Sequence, residues 1–132
     1  MKILIVEDSR MLRLAIERSL VRAGYEVISA GDGEQGLALA QRMQPDVILL
    51  DMMLPLLEGT SVLRELRQHS ATTNIPVIIL SGLSQKNEEK LKTAGALAYF
   101  EKSKLDLENG SKALIQILKQ VFAWRELAKS AH

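Results

Sequence analysis

A chain of 132 residues, 47% apolar and 25% charged, has the balance of a single globular domain with one core. Lys and Arg number 17 against 16 Asp and Glu, a formal net charge of +1, so neither a nucleic-acid-binding basic excess nor a solvating acidic tail is indicated. Cysteine is absent, which excludes disulfides, thiol nucleophiles and cysteine-bound metals and fits a reducing compartment. The apolar run at 3–6 ends at Glu7-Asp8, well below the roughly 7–15 residues of a secretory signal core. No run approaches the ~20 residues of a membrane span, so a cytoplasmic protein without a membrane partner is expected.

Taken in chain order, strand and helix patterns alternate. The run 3–6 is β-rich and bounded by polar residues. Residues 10–23 follow with Leu12, Ala15, Ile16, Ser19 and Ala23 on one helical face, closed by Gly24. Met11, Leu14 and Val21 lie largely off that face and give the helix a second apolar surface, a candidate for docking. A strand at 27–28 with Tyr25 precedes a helix over 33–43, marked by Leu37, Ala40 and Met43 and stopped before Pro45. Then come a strand at 47–50, a helix over 60–70 with Val62, Leu63 and Leu66, and a strand at 77–80. A short charged helix at 86–94 ends at Gly95, and a weaker strand occupies 98–100. The last helix, about 109–128, carries Leu114, Ile117, Leu118 and Val121 on one face, and the final residues begin a linker. Continuous rather than alternating apolarity in the strands suits burial on both sides. The order is (βα)₅, which predicts a doubly wound α/β domain over 1–132 with five parallel strands and right-handed crossovers.

Polar residues follow directly on the carboxyl ends of these strands: Glu7-Asp8, Asp51, Ser81 and Lys102. Ligands of open parallel sheets bind at that edge, where the strand order reverses. Each residue alone reads blandly, as a polar turn, a helix cap, a turn former or a solvated lysine. Their joint placement at one edge argues for a site. Three carboxylates brought together repel one another and favour a hard divalent cation such as Mg²⁺. A lysine and a hydroxyl opposite supply charge and a hydrogen bond for phosphoryl oxygens. One carboxylate can then attack phosphorus to give an acyl phosphate.

These residues resemble the receiver (response-regulator) family over nearly the whole chain. The resemblance rests on 3–8 (Ile-Leu-Ile-Val-Glu-Asp), on 45–55 ending Asp51-Met52-Met53-Leu54-Pro55 with Gly59 beyond, on 75–82 ending Ser81-Gly82, and on Gly95-Ala96 through Tyr99 to Lys102. It implies the flavodoxin-like strand order 2-1-3-4-5. It implies Asp51 as phosphoacceptor, with Mg²⁺ (Mn²⁺ as a substitute) held by Asp8 and Asp51, by Glu7 through water, and by the Met53 carbonyl. Ser81 and Lys102 would bind the phosphoryl group, and Tyr99 would be the switch aromatic. Gly82, Leu83 and the Met53 side chain would flank the site. The implied protein is a signalling phosphoacceptor rather than an enzyme, with only self-phosphorylation and autodephosphorylation of its own. Its donor would be a sensor histidine kinase or a histidine phosphotransfer protein. Its readout would be the face made by the fourth helix, fifth strand and fifth helix, acting on an unknown output without touching nucleic acid itself.

Two departures stand out. Ser103 replaces the proline that usually follows the lysine, so a trans bond and a reshaped loop over 104–109 are expected. Leu97-Ala98 replaces an acidic pair, and Arg125 is the last helix's single arginine, which argues against dimerisation through the fourth and fifth helices. Met53 and Leu83 lie two residues beyond Asp51 and Ser81; neither can orient a hydrolytic water strongly, which predicts a long-lived phosphoaspartate. His69 is expected to have no carboxylate at ligand spacing. A haloacid-dehalogenase-like phosphatase is the alternative, but it needs an acid where Met53 stands.

Overall fold

In the computed structural model, the described residues are 1–54, 59–82, 95–102, 105 and 112–130, with side chains to 127. They form β1 (Lys2–Val6), α1 (Arg10–Arg22), β2 (Glu26–Ala30), α2 (Gly33–Met43), β3 (Val47–Asp51), α3 (Gly59–Gln68), β4 (Val77–Ser81), β5 (Ala98–Glu101) and a C-terminal helix (Lys112–Ser130). The expected helix at 86–94, the loop after Lys102 including its bond to Ser103, the start of the last helix at 109–111, and Leu83 lie outside the described residues. The five strands are parallel in the order β2-β1-β3-β4-β5, as predicted. Among the described residues no helix is long and apolar enough to cross a membrane.

Strand pleating divides the apolar runs between two cores. Leu4, Val6, Ile48, Leu50, Val77 and Ile79 pack against Ala40 of α2 and Val62, Leu63 and Leu66 of α3. Ile3, Ile5, Val47, Leu49, Ile78 and Leu80 pack on the other side against Ile16 and Leu20 of α1 and Leu114, Leu118 and Val121 of the C-terminal helix. Hence no position in runs 3–6, 47–50 or 77–80 can be polar. Leu20 joins the buried face of α1, one turn after Ile16, beyond the residues the sequence pattern assigns to it. Ala23, which that pattern includes, is exposed: it is the C-cap, and the chain turns away at Gly24 (φ 98°).

Gly36 of α2 sits against β1 so closely that a Cβ there would meet Val6 Cγ2 at 2.8 Å, so glycine sets the depth of that helix. α3 ends at Gln68, earlier than predicted, because Thr72 and Thr73 turn back on it. Their hydroxyls donate to the carbonyls of Leu66 (2.6 Å) and Arg67 (3.0 Å).

Two guanidinium groups fasten the amino-terminal edge of the sheet. Arg67 donates to the carbonyls of Thr72, Thr73 and Ile75 at 3.3, 3.0 and 2.9 Å, and to Gly95 at 2.8 and 3.2 Å. Arg125 of the C-terminal helix pairs with Asp46, through both the carbonyl and, at 3.5 Å, the carboxylate. The other carboxylate oxygen of Asp46 accepts from Lys2 N at 2.7 Å. Phe122 is buried against Tyr25, ring centroids 5.4 Å apart, while Trp124 stays 58% exposed.

Candidate functional site

The site begins where β1 and β3 end. Glu7 N–H still donates to Ala30 O (3.1 Å), so Glu7 is the last residue held in the β1–β2 ladder. The chain then leaves the sheet through Asp8 and starts α1 at Ser9, whose hydroxyl accepts from Leu12 N at 3.3 Å. Asp51 closes β3 opposite Leu80, and Ser81 follows one register position later on β4. Parallel pairing therefore carries Glu7, Asp8, Asp51 and Ser81 to one edge. β5 adds Lys102 from the far side.

Glu7, Asp51 and Ser81 are each 1% exposed, whereas Asp8 is exposed. One carboxylate oxygen from each of Glu7, Asp8 and Asp51 lies within 4.8 Å of the others. Lys102 Nζ reaches into this cluster, 2.9 Å from Asp51 Oδ1 and 3.2 and 3.0 Å from Glu7 Oε1 and Oε2. Met53 N–H donates to Asp51 Oδ1 at 3.1 Å, and Ser9 N–H to Glu7 Oε1 at 3.3 Å. Among the described residues Asp51 Oδ2 is buried with no hydrogen-bond donor, and Glu7 Oε2 has only the ammonium charge. One lysine thus contacts two of the three clustered acids. Hard oxygen donors, clustered and partly without partners, fit a Mg²⁺ site.

Burial pushes the Glu7 carboxyl up to about 7, against the hydrogen bond from Lys102 and with help from the charge of Asp51. Burial acts to lower Lys102, but its bonds and charge contacts to Asp51 and Glu7 outweigh it and hold the ammonium above its ordinary value. The consequence for stability has a definite sign. Glu7 holds its proton more tightly folded than unfolded, so its contribution is complete below about 4.5 and is lost as pH rises through about 7. In chelator, the wild-type melting temperature should fall from pH 5 to 7.5 relative to Glu7→Gln; equal profiles would show that Glu7 does not titrate there. Mg²⁺ should reverse the trend, because binding requires the deprotonated carboxylate.

The remaining expected residues are distributed unevenly. Tyr99 lies on β5 opposite Ile79 and is half-buried on the α2–α3 side of the sheet. Met53 is 64% exposed beside Asp51, and Gly82 is exposed just past Ser81. Gly59 opens α3 so near the site that a Cβ would fall 2.5 Å from Asp51 O and 2.8 Å from Met52 Cα. Only glycine permits that approach. The expectation for His69 was wrong, since Glu65, one helical turn earlier, places a carboxylate oxygen 3.7 Å from His69 Nε2; both side chains are about half exposed. Sequence reasoning also missed Arg13, whose guanidinium donates to Glu7 O at 2.8 Å. An arginine in the first turns of a helix that follows an acidic pair was the available signal.

This constellation belongs to a known class. The chain is a member of the response regulator receiver domain family, whose model matches residues 3–118. Receiver domains are the phosphoacceptor modules of two-component signalling. Among its relatives, the DNA-binding dual master transcriptional regulator RpaA of Synechocystis sp. is 43% identical over 84 residues, 64% of this chain and 35% of the relative. The chain thus matches only about a third of the length of its curated relatives. Solved receivers match over nearly their full length. A Francisella response regulator 1452 receiver domain has 30% identity, a TM-score of 0.83, and coverage of 94% of this chain and 98% of that one. The receiver domain of sensor histidine kinase PA1611 from Pseudomonas aeruginosa, with a magnesium ion coordinated in its active site cleft, has 33% identity, a TM-score of 0.79, and coverage of 92% and 97%.

Proposed function

We propose that this chain, a receiver domain over residues 1–132, takes a phosphoryl group onto Asp51 in a Mg²⁺-dependent phosphorelay in the cytoplasm. The donor is a phosphohistidine of a sensor kinase or phosphotransfer protein. The observation that carries this reading is the contact of Lys102 Nζ with Asp51 Oδ1 at 2.9 Å, while Asp51 Oδ2 is buried beside two further acids and has no hydrogen-bond partner among the described residues. An Asp51 oxygen forms the new bond to phosphorus as the donor nitrogen–phosphorus bond breaks, giving an acyl phosphate and a free imidazole. Met53 N–H orients the carboxylate through Oδ1. Lys102 shifts from carboxylate to phosphoryl oxygens, and the Ser81 hydroxyl binds one of them. Asp8, Asp51 and the Met53 carbonyl, with Glu7 through water, would hold the cation, which would offset charge on the transferring oxygens.

The added charge, about −1.5 to −2, draws Ser81 and Lys102 toward Asp51. Tyr99, on the strand that leads to Lys102, transmits the change to the face of β5 and the C-terminal helix, and thence to an output partner. Met53 offers hydrolytic water no strong hydrogen bond, which supports a slowly decaying signal. Acetyl phosphate or beryllofluoride with Mg²⁺ should add one group to the protein, mapped by peptide mass to Asp51. Chelation should prevent it. Uptake that persisted without a divalent ion, or mapped to another residue, would sink the reading.

A further inference from the structure

We infer that Arg13 is a positioning residue for the cation site, acting through the peptide that joins Glu7 to Asp8. The inference rests on the metal reading given above and concerns a residue that reading does not use. Arg13 starts the helical ladder of α1, its N–H donating to Ser9 O at 2.9 Å, while its side chain turns back along the helix. There Nη1 donates to Glu7 O at 2.8 Å. The N–H of Glu7 is fixed by Ala30 O at 3.1 Å. Both polar groups of Glu7's backbone are therefore tied, one to the sheet and one to the guanidinium.

The fixed carbonyl belongs to the same peptide as the Asp8 N–H, and that plane sets the direction in which Asp8 leaves the chain. Asp8 is the exposed member of the acidic cluster, while its partners Glu7 and Asp51 are buried. Packing therefore does less to orient Asp8 than to orient the other two, and the peptide plane does more. The β2–α2 turn makes room for this arrangement. A Cβ at Gly31 would meet Arg13 Nη1 at 3.4 Å, so the guanidinium lies between that turn and the end of β1.

Charge and geometry predict opposite outcomes, which makes the inference testable. A cation near the cluster repels Mg²⁺, so if Arg13 acted only as a charge its removal would tighten binding. If it positions Asp8, removal loosens binding, as loss of partners behind metal ligands typically does by about 10–100-fold. Titration calorimetry with Mg²⁺ on the full chain should give a Kd raised roughly 10-fold in Arg13→Met. Arg13→Lys, which keeps the charge and one donor, should fall between the two. The melting temperature in chelator and the circular dichroism check that each variant is folded. Binding by Arg13→Met as tight as wild type, or tighter, overturns the inference. If that variant does not fold, Arg13→Lys decides, weaker binding supporting the inference and unchanged or tighter binding overturning it. Wild-type protein that bound no Mg²⁺ would remove the metal reading and this inference with it, whereas normal wild-type binding with unaffected variants removes this inference alone.

Discussion

Asp51→Asn should leave no detectable phosphoryl uptake from acetyl phosphate in Mg²⁺, by intact-protein mass, while the protein remains folded. The amide nitrogen is no nucleophile toward phosphorus, and the other amide atom keeps the acceptor geometry of Oδ1 for Met53 N–H, now 3.1 Å away. Stability separates this result from simple damage. Asp51 and Glu7 are both buried and share one lysine, and the charge of Asp51 helps to raise Glu7. Neutralising Asp51 relieves that repulsion, so in chelator the melting temperature should equal or exceed that of wild type. A variant that still accepted the group would place the phosphoacceptor elsewhere. One that lost uptake and also melted far earlier would show that Asp51 mainly holds the fold.

Lys102→Met should produce the second large effect, and its sign depends on the metal. Without the ammonium, two carboxylates at 1% exposure have no counter-charge among the described residues. Removing one partner of a buried pair costs about 3–5 kcal/mol. Glu7, already pushed up to about 7, can take up a proton and moderate this. In chelator at pH 8 the melting temperature should therefore drop by roughly 10 °C, and by less at pH 6. Mg²⁺ should recover most of the loss by supplying positive charge to the same oxygens. Phosphoryl uptake should stay down by roughly 100-fold even then, because the missing donor serves the transferring oxygens and not only the carboxylates. Full recovery of uptake with Mg²⁺ would reduce Lys102 to a charge balancer.

The fold was open to sequence reading because its strands are buried on both sides. The runs around Ile3 to Val6, Val47 to Leu50 and Val77 to Leu80 can be apolar throughout only if each face meets helices, and both cores confirm this. The acids and Ser81 were legible for a related reason. Polar residues set directly after such runs must emerge at one edge, whatever the packing of the helices. What escaped notice depends on reach rather than on pattern. Arg13, Arg67 and Arg125 each end on backbone carbonyls supplied by other elements, and a carbonyl carries no residue identity that a sequence could reveal. Lys102 was expected to meet a phosphoryl group; its simultaneous contact with both oxygens of Glu7 depends on the β4–β5 register and side-chain reach, which no motif encodes. The pairing of His69 with Glu65 was legible, since the two stand four apart at the end of a helical pattern.

Arg67 and Arg125 have a wider consequence. Both act at the amino-terminal edge of the sheet, where they bind the turns entering β3, β4 and β5 to α3 and to the C-terminal helix. The opposite edge holds acids that repel and a lysine with more than one partner. The two ends of each strand are separated by five residues or fewer, about 16 Å. The amino-terminal rim is thus held by neutral and paired contacts between elements, whereas the other rim concentrates the charge. On the proposed reading, added charge at Asp51 would act first on the side chains that share its rim, Lys102 just beyond β5 among them.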